Sequence, residues 1–442
     1  MRLYTLTSDL HGELAQNAHN EQFIKDIEAA VGQTFDYRET DFSDFGAFGD
    51  IIYVRTGGTE GIFKKVFEGH EGARVRLLTS GQSNSLAASM EILSWLNRQG
   101  LGGEILHGSV QEIASELLKY YPSPVGAKSP LVKPYVPSKA LSGKRYGVVG
   151  HPSDWLISSD VDYAAAKEIL GAELIDISID ELIDEVRGSA AGGSLQETSA
   201  TLHPSHRLSI LETAGPSRSR GHGRPRFLEE NLQRQPESLK PLNVPKYGRP
   251  FGETDFEDSM KIYKALKDIA IRYSLDGLTL RCFDLLTALG NTGCMSLAML
   301  NAEGLVATCE GDVPAMLSMA LVREKYGVSG FQANLSKIDG DKYLFAHCTV
   351  PLDMVQDYCY DTHFESGIGV ALHGILPLGK ARIFKLGADL QHCINQEVEI
   401  LDNPYGANLC RTQILVKAPV GLRNYFLRAP LGNHHIIVPE QL

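Results

Sequence analysis

Two stretches of alternating strand and helix pattern, then a run of short strands, predict an α/β protein. It has two mainly parallel α/β regions and a mostly β, barrel-like C-terminal domain. Three observations carry this reading. Apolar runs alternate with helical periodicity over residues 1–140; the alternation resumes over 145–330; and over 331–442 the runs shorten between Gly, Pro and Asp turns. The length of 442 residues accommodates the division, since domains run to roughly 100–200 residues.

Ile51–Arg55 reads as a buried strand closed by the turn Thr56–Thr59. Val75–Thr79 is a second strand, followed by Ser80–Asn84 and a helix. That helix carries Leu86, Met90, Leu93 and Leu96 on one face and stops at Gly100. Five prolines between Tyr121 and Ser138 mark a linker. The second region opens at Tyr146–Gly150 and resumes at Thr254–Glu257, a capping-box pattern, with Ile262, Leu266 and Ile269 on the helix that follows. Leu278–Phe283 is then a strand, Met295–Ala302 a helix and Leu305–Cys309 a strand; Pro314 and Gly327 bracket the next helix. Past Phe331, the segments Tyr343–Ala346, Arg382–Lys385, Val398–Ile400, Gln413–Val416 and His435–Val438 are short strands suited to a small barrel.

One segment breaks the pattern. Gly188–Phe227 is rich in Ser, Gly and Arg (Arg207, Arg218, Arg220, Arg224, Arg226) and shows no sustained period. A disordered insertion, a basic RNA-binding segment and a stretch read out of frame all produce such a sequence. The absence of interleaved aromatics speaks against RNA.

Composition narrows the class of function. Lys plus Arg is 42 against 54 for Asp plus Glu, and the resulting −12 repels phosphate backbones and anionic lipid. Nucleic acid and membrane are therefore not the expected partners. No apolar run approaches the ~20 residues that span a bilayer, and Asp9 precedes any signal-like hydrophobic stretch, so a cytoplasmic enzyme is expected. The seven cysteines all follow residue 281 and include no CxxC pair, which fits reduced, buried thiols.

The chemistry concentrates between Leu278 and Leu317. Asp284 follows one predicted strand, and Glu310 and Asp312 follow the next, so a right-handed βαβ unit places them along one sheet edge. Carboxylates gathered there share a proton or hold a hard cation. Asp312 precedes Val313-Pro314 and equally reads as a helix N-cap. Imidazoles come from His347 at a strand end and from His434-His435, of which only one can face a given ion because strand side chains alternate. Carboxylate plus imidazole suits Mn²⁺ or a similar divalent ion such as Co²⁺ or Mg²⁺. Asp154 and Trp155 offer a hydroxyl acceptor and a stacking face for a sugar, or else a helix cap and a packing residue. Arg55–Glu60 and Ser80–Asn84 are polar strand-end loops. Neither a phosphate-binding loop nor a dinucleotide fingerprint occurs, so no organic cofactor is expected.

Gly304–Leu321 (GLVATCEGDVPAMLSMAL), Gly277–Leu286 (GLTLRCFDLL), Gly147–Asp160 (GVVGHPSDWLISSD) and Leu431–Val438 (LGNHHIIV) resemble the L-fucose isomerase family, including its L-fucose/L-arabinose isomerase-like proteins. The resemblance implies two Rossmann-like, doubly wound domains ahead of the barrel-like domain. It implies a metal-dependent aldose–ketose isomerase acting on a pentose or deoxyhexose through an enediolate. Carried over by motif, the metal ligands are Asp284, Asp312 and His434, with the two aspartates moving the proton. At the first position this chain has Asp284 where the family has Glu. Glu310, Asp154, Trp155, Arg55, His347 and His435 are the expected sugar contacts. A homotrimer or homohexamer is implied, with a neighbouring subunit's first domain completing the site. A non-catalytic sugar-binding protein of the same fold is the alternative.

Overall fold

The computed structural model describes residues 1–8, 18–47, 49–119, 128–191, 253–419 and 421–440. The chain begins β1 (Arg2–Leu6), α1 (Gln22–Val31), β2 (Asp36–Glu39), β3 (Ile51–Val54), α2 (Glu60–Phe67), β4 (Val75–Thr79), α3 (Ser85–Arg98), β5 (Gly103–Leu106) and α4 (Val110–Leu118). The five strands form a parallel sheet in the order β2-β1-β3-β4-β5. Successive side chains alternate between two cores. Leu3, Ile51, Tyr53, Leu78 and Leu106 cluster with Ile24, Ile27, Ile113 and Leu117 of α1 and α4. Tyr4, Ile52, Val54, Leu77 and Ile105 cluster instead with Phe63, Phe67, Leu86 and Leu93 of α2 and α3. Helices on both faces are why these strands are apolar throughout rather than at every second position.

The next elements are β6 (Lys133–Pro134), β7 (Arg145–Val149), α5 (Tyr163–Ile169), β8 (Glu173–Ile177), α6 (Ile179–Ala191), α7 (Glu253–Arg272), β9 (Gly277–Leu280), α8 (Asp284–Leu289), α9 (Cys294–Ala302), β10 (Val306–Cys309) and α10 (Val313–Tyr326). Strands β10-β9-β7-β8, in that order, make a second parallel sheet. Part of the expected linker thus becomes β6. Residues 188–191 of the Arg-rich segment close α6, and the rest, from 192, lies outside the described residues. Strand β9 stops at Leu280 rather than Phe283, and Asp284 opens a helix. An apolar run continuing from a buried strand into a buried helix hides such a boundary, because run length alone cannot separate the two.

The last elements are β11 (Phe331–Asp339), β12 (Lys342–His347), β13 (Asp357–Asp361), β14 (Ala371–Ile375), β15 (Gly379–Leu386), β16 (His392–Asp402), β17 (Thr412–Lys417), α11 (Gly421–Arg428) and β18 (His435–Pro439). Strands β15-β18-β11-β12-β17-β16 pair antiparallel, and β16 pairs back to β15, closing a six-stranded barrel. β6 adds to β16, and β13 and β14 form a separate hairpin. Helix α10 lies between the second sheet and the barrel, clustering with Val306 on one side and Leu386, Ile436 and Val438 on the other. Residues Val313–Val322 are all buried, as expected of a helix apolar on every face. Its N-terminus therefore points into the molecule. No helix among the described residues is long and apolar enough to cross a membrane.

Candidate metal centre and cleft

The turn between β10 and α10 aims the key side chains. Glu310 and Gly311 both adopt left-handed backbone, at φ +66° and +70°. A Cβ on Gly311 would sit 2.3 Å from the carbonyl oxygen of His151, so only glycine fits there. Glu310 holds its unusual φ because its carbonyl accepts from Ser153 N–H at 3.0 Å and Gly311 N–H donates to Leu280 O at 3.0 Å. Its side chain is fixed by the Trp155 indole, which donates to Oε2 at 2.7 Å. The indole in turn meets Phe283 edge-on at 4.7 Å.

Two imidazoles converge on the other carboxyl oxygen. His347 ends β12 and His434 directly precedes β18; their Nε2 atoms lie 3.7 Å and 3.4 Å from Glu310 Oε1. Ligand atoms of Glu310, His347 and His434 all lie within 4.8 Å of one another. Atoms each ~2.1 Å from one ion stand ~3–4 Å apart, and the 3.7 Å and 3.4 Å separations from Glu310 Oε1 suit a divalent cation. His434 carries the second test. Its Nδ1 bonds Asp312 Oδ2 at 2.8 Å, while its buried Nε2 has no hydrogen-bond partner. A carboxylate on one imidazole nitrogen turns the other toward an ion as a lone-pair donor. Burial pushes the His434 pKa down, but Glu310 and Asp312 outweigh it and lift it to about 9. Burial likewise pushes Glu310 up, yet the two histidines hold it well below the usual carboxylate range. The pocket is thus built for positive charge, a proton or a metal.

Asp312 lies behind this cluster and is fully buried. Its Oδ1 caps α10 by accepting from Ala315 N–H at 2.7 Å, and Lys385 Nζ stands 3.7 Å from Oδ2. The cap and the contact with the site are one side chain's two ends. Asp284 is elsewhere: it pairs with Arg281 at 2.9 Å, because β9 ends before it and the helical turn carries it aside. Arg281 also binds Asp154 at 3.0 Å, an otherwise exposed side chain. Arg55 is buried against Glu21, to which its Nε donates at 2.7 Å. His435 faces away from His434. It bonds Tyr425 OH at 2.7 Å and the Asn433 carbonyl at 2.9 Å, and burial drives its pKa to about 3.

A cleft opens beside Glu310. Gly57, Gly58, Glu60 and Asn84 of the first sheet's loops line it together with Trp155, Asn334, Glu365 and Asn433. The two polar loops read from the sequence therefore line the same cleft as Glu310 within one chain. Glu60 Oε2, Asn84 Oδ1 and Asn334 Oδ1 are buried there without a hydrogen-bond partner. Unpaired buried acceptors are costly and rare, and a polyhydroxylated ligand would supply the missing donors. Sequence reasoning passed over Asn334 and Glu365. Neither lies in a motif, and Glu365 stands in the turn-rich segment between β13 and β14, where no periodicity singles it out.

No protein-family model matches the chain. Sulfoquinovose isomerases of Priestia aryabhattai and of Priestia megaterium (strain ATCC 12872 / QMB1551) are each 35% identical to it over 120 residues, 25% of this chain and 27% of theirs. The sulfoquinovose isomerase of Clostridium sp. (strain MSTE9) is 27% identical over 142 residues, 29% of this chain and 30% of its own. The similarity thus spans less than a third of these relatives' length.

Proposed function

We propose that the chain is a metal-dependent aldose–ketose isomerase acting on a pentose or deoxyhexose through an enediolate. The observation that carries this reading is the Glu310–His347–His434 cluster at the wall of a cleft lined by unpaired acceptors. The resemblance to the L-fucose isomerase family and the partial match to sulfoquinovose isomerases support it. Glu310, His347 and His434 would hold Mn²⁺, or Co²⁺ or Mg²⁺ in its place. When bound, the ion supplies Lewis acidity toward the sugar carbonyl. Asp312 keeps the Nδ1 proton of His434 and so presents Nε2; the Trp155 indole orients Glu310. Glu60, Asn84 and Asn334 accept sugar hydroxyls. Asp284, held by Arg281, has no part in ligating the ion.

The lining argues for a neutral sugar. Glu60, Glu310 and Glu365 face the cleft, and among the described lining residues there is no Lys or Arg to pair with a sulfonate. Assembly as a homotrimer or homohexamer belongs to the proposal through the resemblance alone, since the chain's own loops already line its cleft. The test incubates purified protein and Mn²⁺ with a panel of neutral aldoses and ketoses plus sulfoquinovose, and reads isomer formation. Conversion of a neutral sugar is expected. Binding without conversion makes the chain a sugar-binding protein, and conversion of sulfoquinovose alone overturns the substrate class.

A further inference from the structure

An isomerase that works through an enediolate must move a proton between adjacent carbons, and the two carboxylates suggested by sequence are engaged elsewhere. Asp312 is buried behind His434, and Asp284 is held by Arg281. Three carboxylates line the cleft among the described residues: Glu310, Glu60 and Glu365. Glu310 is engaged by the Trp155 indole and the two imidazoles. Glu60 is 2% exposed, burial raises its pKa well above the usual carboxylate range, and no hydrogen-bond donor orients its Oε2. Glu365 differs from both. One oxygen accepts from the Asn84 amide at 2.8 Å, and the other is left for a ligand.

Asn84 is arranged for that bond at a local cost. It occupies the N-cap of α3 in left-handed backbone, φ 58° and ψ 18°, yet its side chain makes no capping bond. A good capping residue that turns away from its helix is serving another contact. Gly57 makes room: a Cβ there would stand 3.0 Å from Asn84 Cβ and 3.9 Å from Glu365 Oε1.

Resting on the isomerase reading, we propose that Glu365, positioned by Asn84, is the catalytic residue that carries the proton between C2 and C1 of the sugar. The carboxylate takes the C2 proton. The C2–H electron pair becomes the C1–C2 double bond, and the carbonyl π pair moves onto O1. Protonated Glu365 then gives the proton to C1, the O2 hydroxyl proton passes to O1, and the C2 carbonyl forms. Nothing is oxidised or reduced overall. Burial, then Glu310, push the carboxyl up to about 7 against the Asn84 bond.

The test compares wild type with Glu365→Gln and Asn84→Ala in Mn²⁺ and the sugar that wild type converts. If wild type converts none, the isomerase reading itself fails, and this assignment with it. With an active wild type, Glu365→Gln is expected to lose roughly 10²–10⁴ in kcat and to stop exchange of a C2 deuteron with solvent, while Mn²⁺ binding by titration is unchanged. Asn84→Ala removes a sugar contact as well as the donor to Glu365, so it should lower turnover, and the acidic limb of the remaining kcat should be displaced to higher pH because the carboxylate has lost its donor. Glu365→Gln that keeps more than about a tenth of wild-type kcat, or that loses Mn²⁺ binding along with turnover, overturns the assignment. So does an acidic limb unmoved in Asn84→Ala.

Discussion

At Asp312 the helix cap expected from the sequence forms, and the same side chain bonds an imidazole of the candidate site. One oxygen caps α10 and the other holds the His434 Nδ1 proton. The nearest charged neighbours are cationic, Lys385 and His434, and buried Glu91 is the like charge that its carboxylate repels. Asp312→Asn should keep the cap and the fold, lose some heat resistance because buried Lys385 loses a counter-charge, and weaken Mn²⁺ binding ~10–100-fold. Melting temperature and Mn²⁺ titration together check this; unchanged affinity would detach Asp312 from the metal centre. Glu310, His347 and His434 were legible as strand-end residues of the right chemical type. Which of them meet was not, because the contact joins β10, β12 and β18, elements far apart along the chain. Glu365 was less legible still: its partner Asn84 lies 281 residues away.

The elements carrying the site were readable wherever period or capping marked them. Helix α10 was bracketed by Pro314 and Gly327, and it ends at Gly327 in left-handed backbone, φ +72°. Strand β9 was overextended because Cys282 and Phe283 prolong an apolar run into α8, and Asp284 opens that helix and pairs with Arg281. The turn after β10 was named by its acidic residues, whereas its geometry depends on Gly311. Gly311→Ala should destabilise the fold by ~3 kcal/mol or more, since positive φ and a blocked Cβ add together. Gly327→Ala shares the positive φ but meets nothing within 4 Å, and should cost only ~1 kcal/mol. Urea unfolding of the two variants makes the comparison, and equal losses would remove the steric argument.

For the whole molecule, the division into two parallel sheets and a barrel followed from pattern, but the way the first sheet docks did not. His107, just past β5, makes one such joint: Nδ1 bonds Thr79 Oγ1 at 2.6 Å, and Nε2 accepts from Ile338 N–H of β11 at 3.0 Å. Burial lowers its pKa from 6.5 to about 3. Below pH 6.5 the unfolded chain takes up a proton that the folded chain refuses, so stability falls as pH drops from about 6.5 toward 3, by up to ~1.4 kcal/mol per pH unit. His107→Gln should melt lower at pH 7.5 and lose less on acidification than wild type; parallel pH profiles would contradict this. Light scattering should report a trimer or hexamer at working concentration, and an active monomer would remove assembly from the proposal. The most direct test of the central claim is isomer formation from the converted sugar before and after stripping the protein with EDTA. Turnover should vanish in the metal-free protein and return with Mn²⁺, whereas full activity without metal would contradict a metal centre at Glu310, His347 and His434.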